Sequence, residues 1–171
     1  GLNQTASIKW LPETLFREEY ANRTMLLYYT GLTRLAKNIL GDIVRGMFLN
    51  SARRLPIVQA IGRNAYAAAE AIQRVDWDGL CAAVRRSWEL NQSLDEGTNP
   101  PAVQAILAPI ADYLSACKLL GAGGGGYMLM LAKDEEAAHR IRRRLADSPP
   151  NSRARFVEMR LSSAGLEITR S

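Results

Sequence analysis

Five glycines fall within the six positions Gly121 to Gly126, between the two apolar runs of KLLGAGGGGYMLMLA, residues 118–132. Such a run between strand-like segments constrains the chain to a turn. Glycine accepts backbone conformations with positive φ and, lacking Cβ, lets another group come close to its N–H. Successive N–H groups that face one concavity make a nest for an anion such as phosphate, whereas the plain alternative is a glycine-rich hairpin turn. Gly121, Ala122, Gly123, Gly124, Gly125 and Gly126 are therefore the first candidate site. Two familiar phosphate motifs are excluded. A Walker-type loop needs Lys and then Ser or Thr after its last Gly, and this chain has Tyr127 and Met128. A dinucleotide loop leads from a strand into a helix, and Tyr127 to Leu131 reads as another strand.

At 171 residues, 47% of them hydrophobic, the chain can bury roughly 70% of its unfolded surface around one core. No run reaches the ~20 apolar residues of a membrane span, and the first residues lack a basic-then-apolar leader pattern. A soluble, cytoplasmic protein without membrane contact is expected. Cys81 and Cys117 are too few for a disulfide framework, and His139 is the single histidine, so no zinc cluster is expected. The net charge of +5 and pI near 9.5 raise the question of nucleic acid. However, the densest basic group, Arg140, Arg142, Arg143 and Arg144, shares a helical segment with apolar Ala137, Ala138, Ile141 and Leu145. That pattern is a solvated helix face, and no aromatic-interleaved recognition motif accompanies it. No nucleic-acid partner is expected.

Residues 1–24 are mixed in character, with Pro12 interrupting any early helix, and read as a connector. Met25 to Tyr29 is continuously apolar, which suits a strand buried on both faces, and Thr30-Gly31 ends it. Leu32, Leu35, Ala36, Ile39, Leu40, Ile43, Val44, Met47 and Phe48 then recur at three- and four-residue spacing, predicting a helix that follows at once and is mostly core. The turn at Thr30-Gly31 thus aims the positive end of a helix at what lies before it. Arg34 in the first turn opposes that dipole by roughly a few tenths of a kcal/mol, which implies an anionic partner, either a ligand or a carboxylate. Thr30 also reads as a plain N-cap.

Three more helices are predicted from stripes at Val58–Val75, Trp77–Trp88 with Asp76 as N-cap, and Val103–Leu114. Asn91 extends the second stripe, and its amide requires a hydrogen-bond partner. Pro109 costs about 3 kcal/mol inside a helix, so the third is expected to kink or stop short. Beyond the glycines, Asp134 caps a helix ending near Asp147, Ser148-Pro149-Pro150-Asn151 breaks it, and Val157, Met159 and Leu161 alternate as a strand. Leu166 and Ile168 predict a short last strand. The order is that of an α+β, ferredoxin-like βαββαβ sandwich with extra inserted helices.

These residues resemble the GHMP small-molecule kinases. KLLGAGGGGYMLML is similar to the family's third motif, YTGLTRLAKNIL (Tyr29 to Leu40) to the strand–helix segment of its fucose- and heptose-phosphorylating branch, and ELNQSLDEGTNPP to its Asn-Gln helix end. The resemblance covers Met25 to the C-terminus and implies a GHMP kinase C-terminal domain over residues 25–171. It implies ATP and Mg2+ as the cofactors of the whole enzyme and a small-molecule sugar, L-fucose above all, as acceptor. It also implies a missing N-terminal kinase domain as partner, because the family's Pro-x-x-x-Gly-Leu-Gly-Ser-Ser loop and catalytic carboxylate are absent here. No catalytic base or metal ligand is carried over. Leu120 stands where many relatives have Thr, so no hydroxyl is carried over either. The glycine loop is expected to line the phosphate-transfer site, with Thr30, Gly31, Arg34 and Asn91 on the substrate side. The chain alone is expected to be inactive and, with an interdomain face exposed, to self-associate. The competing reading is a non-catalytic ferredoxin-like module that binds a ligand or subunit and uses the loop merely as a turn.

Overall fold

The segment MLLYY forms β1 (Met25–Tyr29), a strand that receives apolar cover on both faces. The computed structural model describes residues 10–17, 23–32, 36–49, 51–121 and 123–161; the side chains of 36–40, 42 and 51 lie outside that description. After β1 come α1 (Ala36–Leu49), α2 (Ser51–Gln73), α3 (Trp77–Leu94) and α4 (Pro101–Leu107). The rest is β2 (Leu114–Leu119), β3 (Tyr127–Ala132), α5 (Glu135–Asp147) and β4 (Arg155–Val157). All four strands pair antiparallel in the order β2-β3-β1-β4. Each helical crossover therefore skips one strand: β1 to β2 straddles β3, and β3 to β4 straddles β1.

Period-two alternation divides the apolar residues between the two sheet faces. Leu26, Tyr28, Met128, Met130 and Leu119 turn to one side, beneath Val103, Ile106 and Ile110 and the α5 residues Ala138, Ile141 and Leu145. Met25, Leu131 and Ala116 turn to the other, beneath Ala71 of α2 and Leu80, Cys81 and Val84 of α3, with Leu15 from the N-terminal segment. Asp76 and Asp134 cap α3 and α5, accepting from Gly79 N at 2.9 Å and Ala137 N at 2.7 Å, as their sequence positions predict.

Four expectations need correction or adjustment. Residues 30–32 are not helical and α1 is described from Ala36; the start of the helix predicted to follow β1 at once falls on residues 33–35, outside the described residues. None of its described side chains is buried: Val44, Phe48 and Leu49 are 54%, 85% and 79% exposed. The stripe is amphipathic as predicted, but both cores are filled by other helices. Leu114 begins β2 and does not end a helix; the α-helix stops at Leu107 and tightens to 3-10 geometry over Ala108–Tyr113 at Pro109, which lacks the N–H to continue. β4 lies at 155–157, earlier than the predicted 157–161 strand, and the predicted strand at 166–168 falls outside the described residues.

Cys81 and Cys117 are unpaired, and burial pushes both thiols from their usual 9 up to about 11. The folded chain holds these protons more tightly than the unfolded chain, so their contribution to stability is complete below pH 9 and is lost as pH rises towards about 11. At pH 8 the thiolate fraction is about 100-fold below that of a free cysteine. Iodoacetamide should therefore label the native protein at least about 100-fold slower than an unfolded control; labelling at the free-thiol rate would contradict this burial.

Candidate functional site

The glycine loop joins β2 to β3 at the end of the sheet, where Leu120 N donates to Tyr127 O at 2.8 Å. Gly121, Gly123, Gly124, Gly125 and Gly126 all have positive φ, so the run is required by its backbone and is not low-complexity filler. Two elements grip it. Gly124 N donates to Thr98 O at 3.0 Å, and Gly126 N donates to Leu32 O at 3.0 Å. Thr98 ends the 3-10 turn Glu96–Thr98 after α3 and is 2% exposed. A Cβ on Gly123 would stand 2.8 Å from Thr98 Cγ2 and 3.1 Å from its Cα, and one on Gly125 would stand 2.5 Å from Leu32 O.

A continuous nest is therefore not what the loop offers. The N–H groups of Gly124 and Gly126 are committed to protein carbonyls, whereas those of Gly123 and Gly125 donate to no acceptor among the described residues. From Gly123 to Gly126 unbonded and bonded donors alternate, and Gly121 N likewise meets no acceptor among the described residues.

The structure brings Thr30 and Gly31 directly to this loop. Thr30 is fully buried; its N and its Oγ1 both donate to Gly126 O at 2.9 Å, and its Oγ1 accepts from Leu32 N at 3.3 Å. The hydroxyl fastens the turn after β1 to the loop, a tertiary link made alongside its local bond from Leu32 N. Gly31, at φ 70, lies against Asn151, whose Nδ2 donates to Thr30 O at 2.8 Å and whose Oδ1 accepts from Arg153 N and Ala154 N at 3.0 Å each. A side chain at Gly31 would overlap the Asn151 amide.

Asn91 reaches the loop at one remove. Its carbonyl accepts from Asp95 N at 3.1 Å and from Thr98 Oγ1 at 3.4 Å, and its side-chain amide makes no hydrogen bond among the described residues. Arg34 and Ala122 lie outside the described residues. Flanking the loop, the Tyr29 and Tyr127 rings pack 5.2 Å apart and the Arg155 guanidinium stands 5.1 Å from the Tyr29 ring.

The sequence reading missed Thr98, Leu32 and Asn151 as determinants of this geometry. Leu32 and Thr98 act through backbone carbonyls, for which no side-chain pattern exists. Asn151 was visible only as a helix breaker, although Asn after a Pro pair is a side chain that bonds nearby backbone N–H groups.

A family model described as GHMP kinases C terminal matches residues 68–151. The chain belongs to that family. Over all 171 residues it is 49% identical to an L-fucokinase/L-fucose-1-P guanylyltransferase of Bacteroides fragilis. It is 33% identical over 129 residues, 72% of this chain, to a bifunctional fucokinase/GDP-fucose pyrophosphorylase of Arabidopsis thaliana. It spans 18% and 12% of the lengths of those two relatives. Mevalonate kinase of L. major, solved with R-mevalonate, superposes with a TM-score of 0.67 over 78% of this chain and 41% of its own, at 18% identity. A Streptococcus pneumoniae phosphomevalonate kinase in complex with phosphomevalonate and AMPPNP gives 0.60 over 72% and 36%, also at 18%. At such identities the likeness is one of fold.

The grip of Thr98 on Gly123 is open to a direct check. Gly123→Ala should cost about 1–3 kcal/mol, combining a positive-φ penalty with the contact on Thr98. In a urea-unfolding double-mutant cycle with Thr98→Ala, the pair should cost less than the sum of the single changes by about 0.5 kcal/mol or more. Strict additivity would show that the Thr98 side chain does not limit the space at Gly123.

Proposed function

We propose that this chain is the C-terminal domain of an ATP-dependent sugar kinase that transfers the γ-phosphate to a sugar hydroxyl, converting L-fucose to L-fucose 1-phosphate. The observation that carries this reading is the 49% identity across the whole chain to a protein named as an L-fucokinase. The alternating antiparallel order β2-β3-β1-β4 with two strand-skipping crossovers supports a ferredoxin-like βαββαβ sandwich with inserted helices. We read residues 25–171 as the domain and 1–24 as its connector, which Leu15 packs onto the second core. The partner is the N-terminal kinase domain of the same polypeptide, and the compartment is the cytoplasm.

Phosphoryl transfer needs positioning and stabilisation of charge on the phosphoryl oxygens more than covalent chemistry from the protein. ATP supplies the phosphoryl group. On this chain the residues that fit it are Gly123 and Gly125, whose N–H groups lack acceptors among the described residues. Because Thr98 and Leu32 fix the loop beforehand, those donors need no reorganisation to meet an anion. Thr30 and Gly31 act as holding residues in this scheme, and Asn91, whose side-chain amide is unbonded among the described residues, faces the substrate side. Magnesium finds no comparable fit: among the described residues no group of three or more His, Cys, Asp or Glu could hold a metal ion.

The longer gene product should phosphorylate L-fucose with ATP, and the present chain alone should not. Gly125→Ala, which places a methyl 2.5 Å from Leu32 O, should lower kcat by about 100-fold or more, while the strand core stays folded by circular dichroism. Absence of sugar phosphorylation by the longer product, or full activity of Gly125→Ala, would overturn this reading.

A further inference from the structure

Lys118 stands on β2 and, with Leu129 opposite it, turns to the sheet face that α2 and α3 cover. The side chain is half-buried, and its Nζ donates to Ser87 Oγ on α3 at 2.8 Å. Among the described residues no carboxylate lies within ion-pair distance of it. A cation withdrawn from water without an opposite charge favours its neutral form, and burial accordingly lowers the Lys118 ammonium from the usual 10.5. A lysine desolvated in this way is an activated nucleophile, because only the neutral amine carries a lone pair.

A cavity of about 230 Å3 opens at this amine between α2 and α3. Ile61, Ala65, Ala68 and Val84 give it apolar walls, and among the described residues Lys118 is the one charged side chain that lines it. Ser87 holds the amine at the cavity through the Nζ bond. Asn64 also lines the cavity; its Nδ2 spends one hydrogen on Ala83 O at 2.8 Å, and the amide group has a second to offer an oxygen inside. A held amine, an amide donor and short apolar walls suit a small electrophile that combines a carbonyl oxygen with an alkyl group.

We infer that Lys118 is a modification site, acylated by a short-chain acyl phosphate whose alkyl group enters this cavity. The neutral amine attacks the carbonyl carbon and a C–N bond forms. The bond from that carbon to the phosphate oxygen breaks, and the surplus proton of the amine leaves with the phosphate. The product amide is uncharged, so the reaction removes an unpaired charge from beneath α3. No residue of the glycine loop takes part, and the site does not depend on the kinase reading.

The chain has four lysines, Lys9, Lys37, Lys118 and Lys133, so peptide mass spectrometry follows each one separately. With acetyl phosphate at pH 8, Lys118 of the folded longer gene product should acetylate at least about threefold faster than the exposed Lys133. Its rate should level off below pH 10.5. Ala65→Leu, which adds bulk to the cavity wall from an exposed position on α2, should slow Lys118 at least about tenfold and leave Lys133 unchanged. Unfolding in urea should abolish the difference between the two lysines. Acetylation of Lys118 no faster than that of Lys133 in the folded wild type would overturn the inference. So would a preference that survives in urea, or an unchanged Lys118 rate in Ala65→Leu, since the folded cavity would then play no part.

Discussion

Two backbone carbonyls decide what the glycine loop can be. Thr98 O and Leu32 O take the N–H groups of Gly124 and Gly126, each bond contributing about 1 kcal/mol net. Glycine loses more conformational freedom on folding than other residues, by roughly 0.5–1 kcal/mol relative to alanine, so five of them would otherwise make a mobile connection. The anchors, with Thr30 bonded to Gly126 O, offset much of that cost. They also set a pattern in which bonded and unbonded donors alternate. A loop anchored by the protein's own carbonyls, with donors in reserve, fits the electrostatic stabilisation that we propose for a transferred phosphoryl group.

The sheet makes those anchors possible. β1 and β3 run side by side from Met25↔Leu131 to Tyr29↔Tyr127, so the turn after β1 and the loop before β3 leave at the same end. The long excursion through α1, α2 and α3 returns Thr98 to that end, because Trp88 and Val103, on either side of it in sequence, both enter the core beneath Leu26 and Tyr28. The α5 arginines serve this architecture locally: Arg140 pairs with Glu136 at 2.9 Å, Arg144 donates to Pro109 O at 2.7 Å, and Arg142 stands over the Phe156 ring.

Much of this was legible in the sequence, for identifiable reasons. The capping aspartates, the glycine turn, α2, α3 and α5, and the stop at Pro109 follow from local chemistry that a side chain announces. What escaped depends on partners distant in sequence. The α1 stripe reads as core because periodicity reports an apolar face and not what covers it. β4 is shorter and earlier than its alternation suggests, since pairing with Leu27 to Tyr29 sets its extent. The glycines, Thr30 and Gly31 that the sequence singles out do meet at one end of the sheet, but which of their groups bond one another was hidden. A threonine hydroxyl reads the same in sequence whether it meets substrate or, as here, is spent on Gly126 O.

The most direct test of a loop that is held by the protein and completed by phosphate is a structure of the longer gene product with L-fucose and a non-hydrolysable ATP analogue. Oxygens of the terminal phosphate should lie about 3 Å from the backbone nitrogens of Gly123 and Gly125, with the Gly124–Thr98 and Gly126–Leu32 bonds intact. Phosphate bound elsewhere while those two N–H groups face solvent or protein would contradict the account.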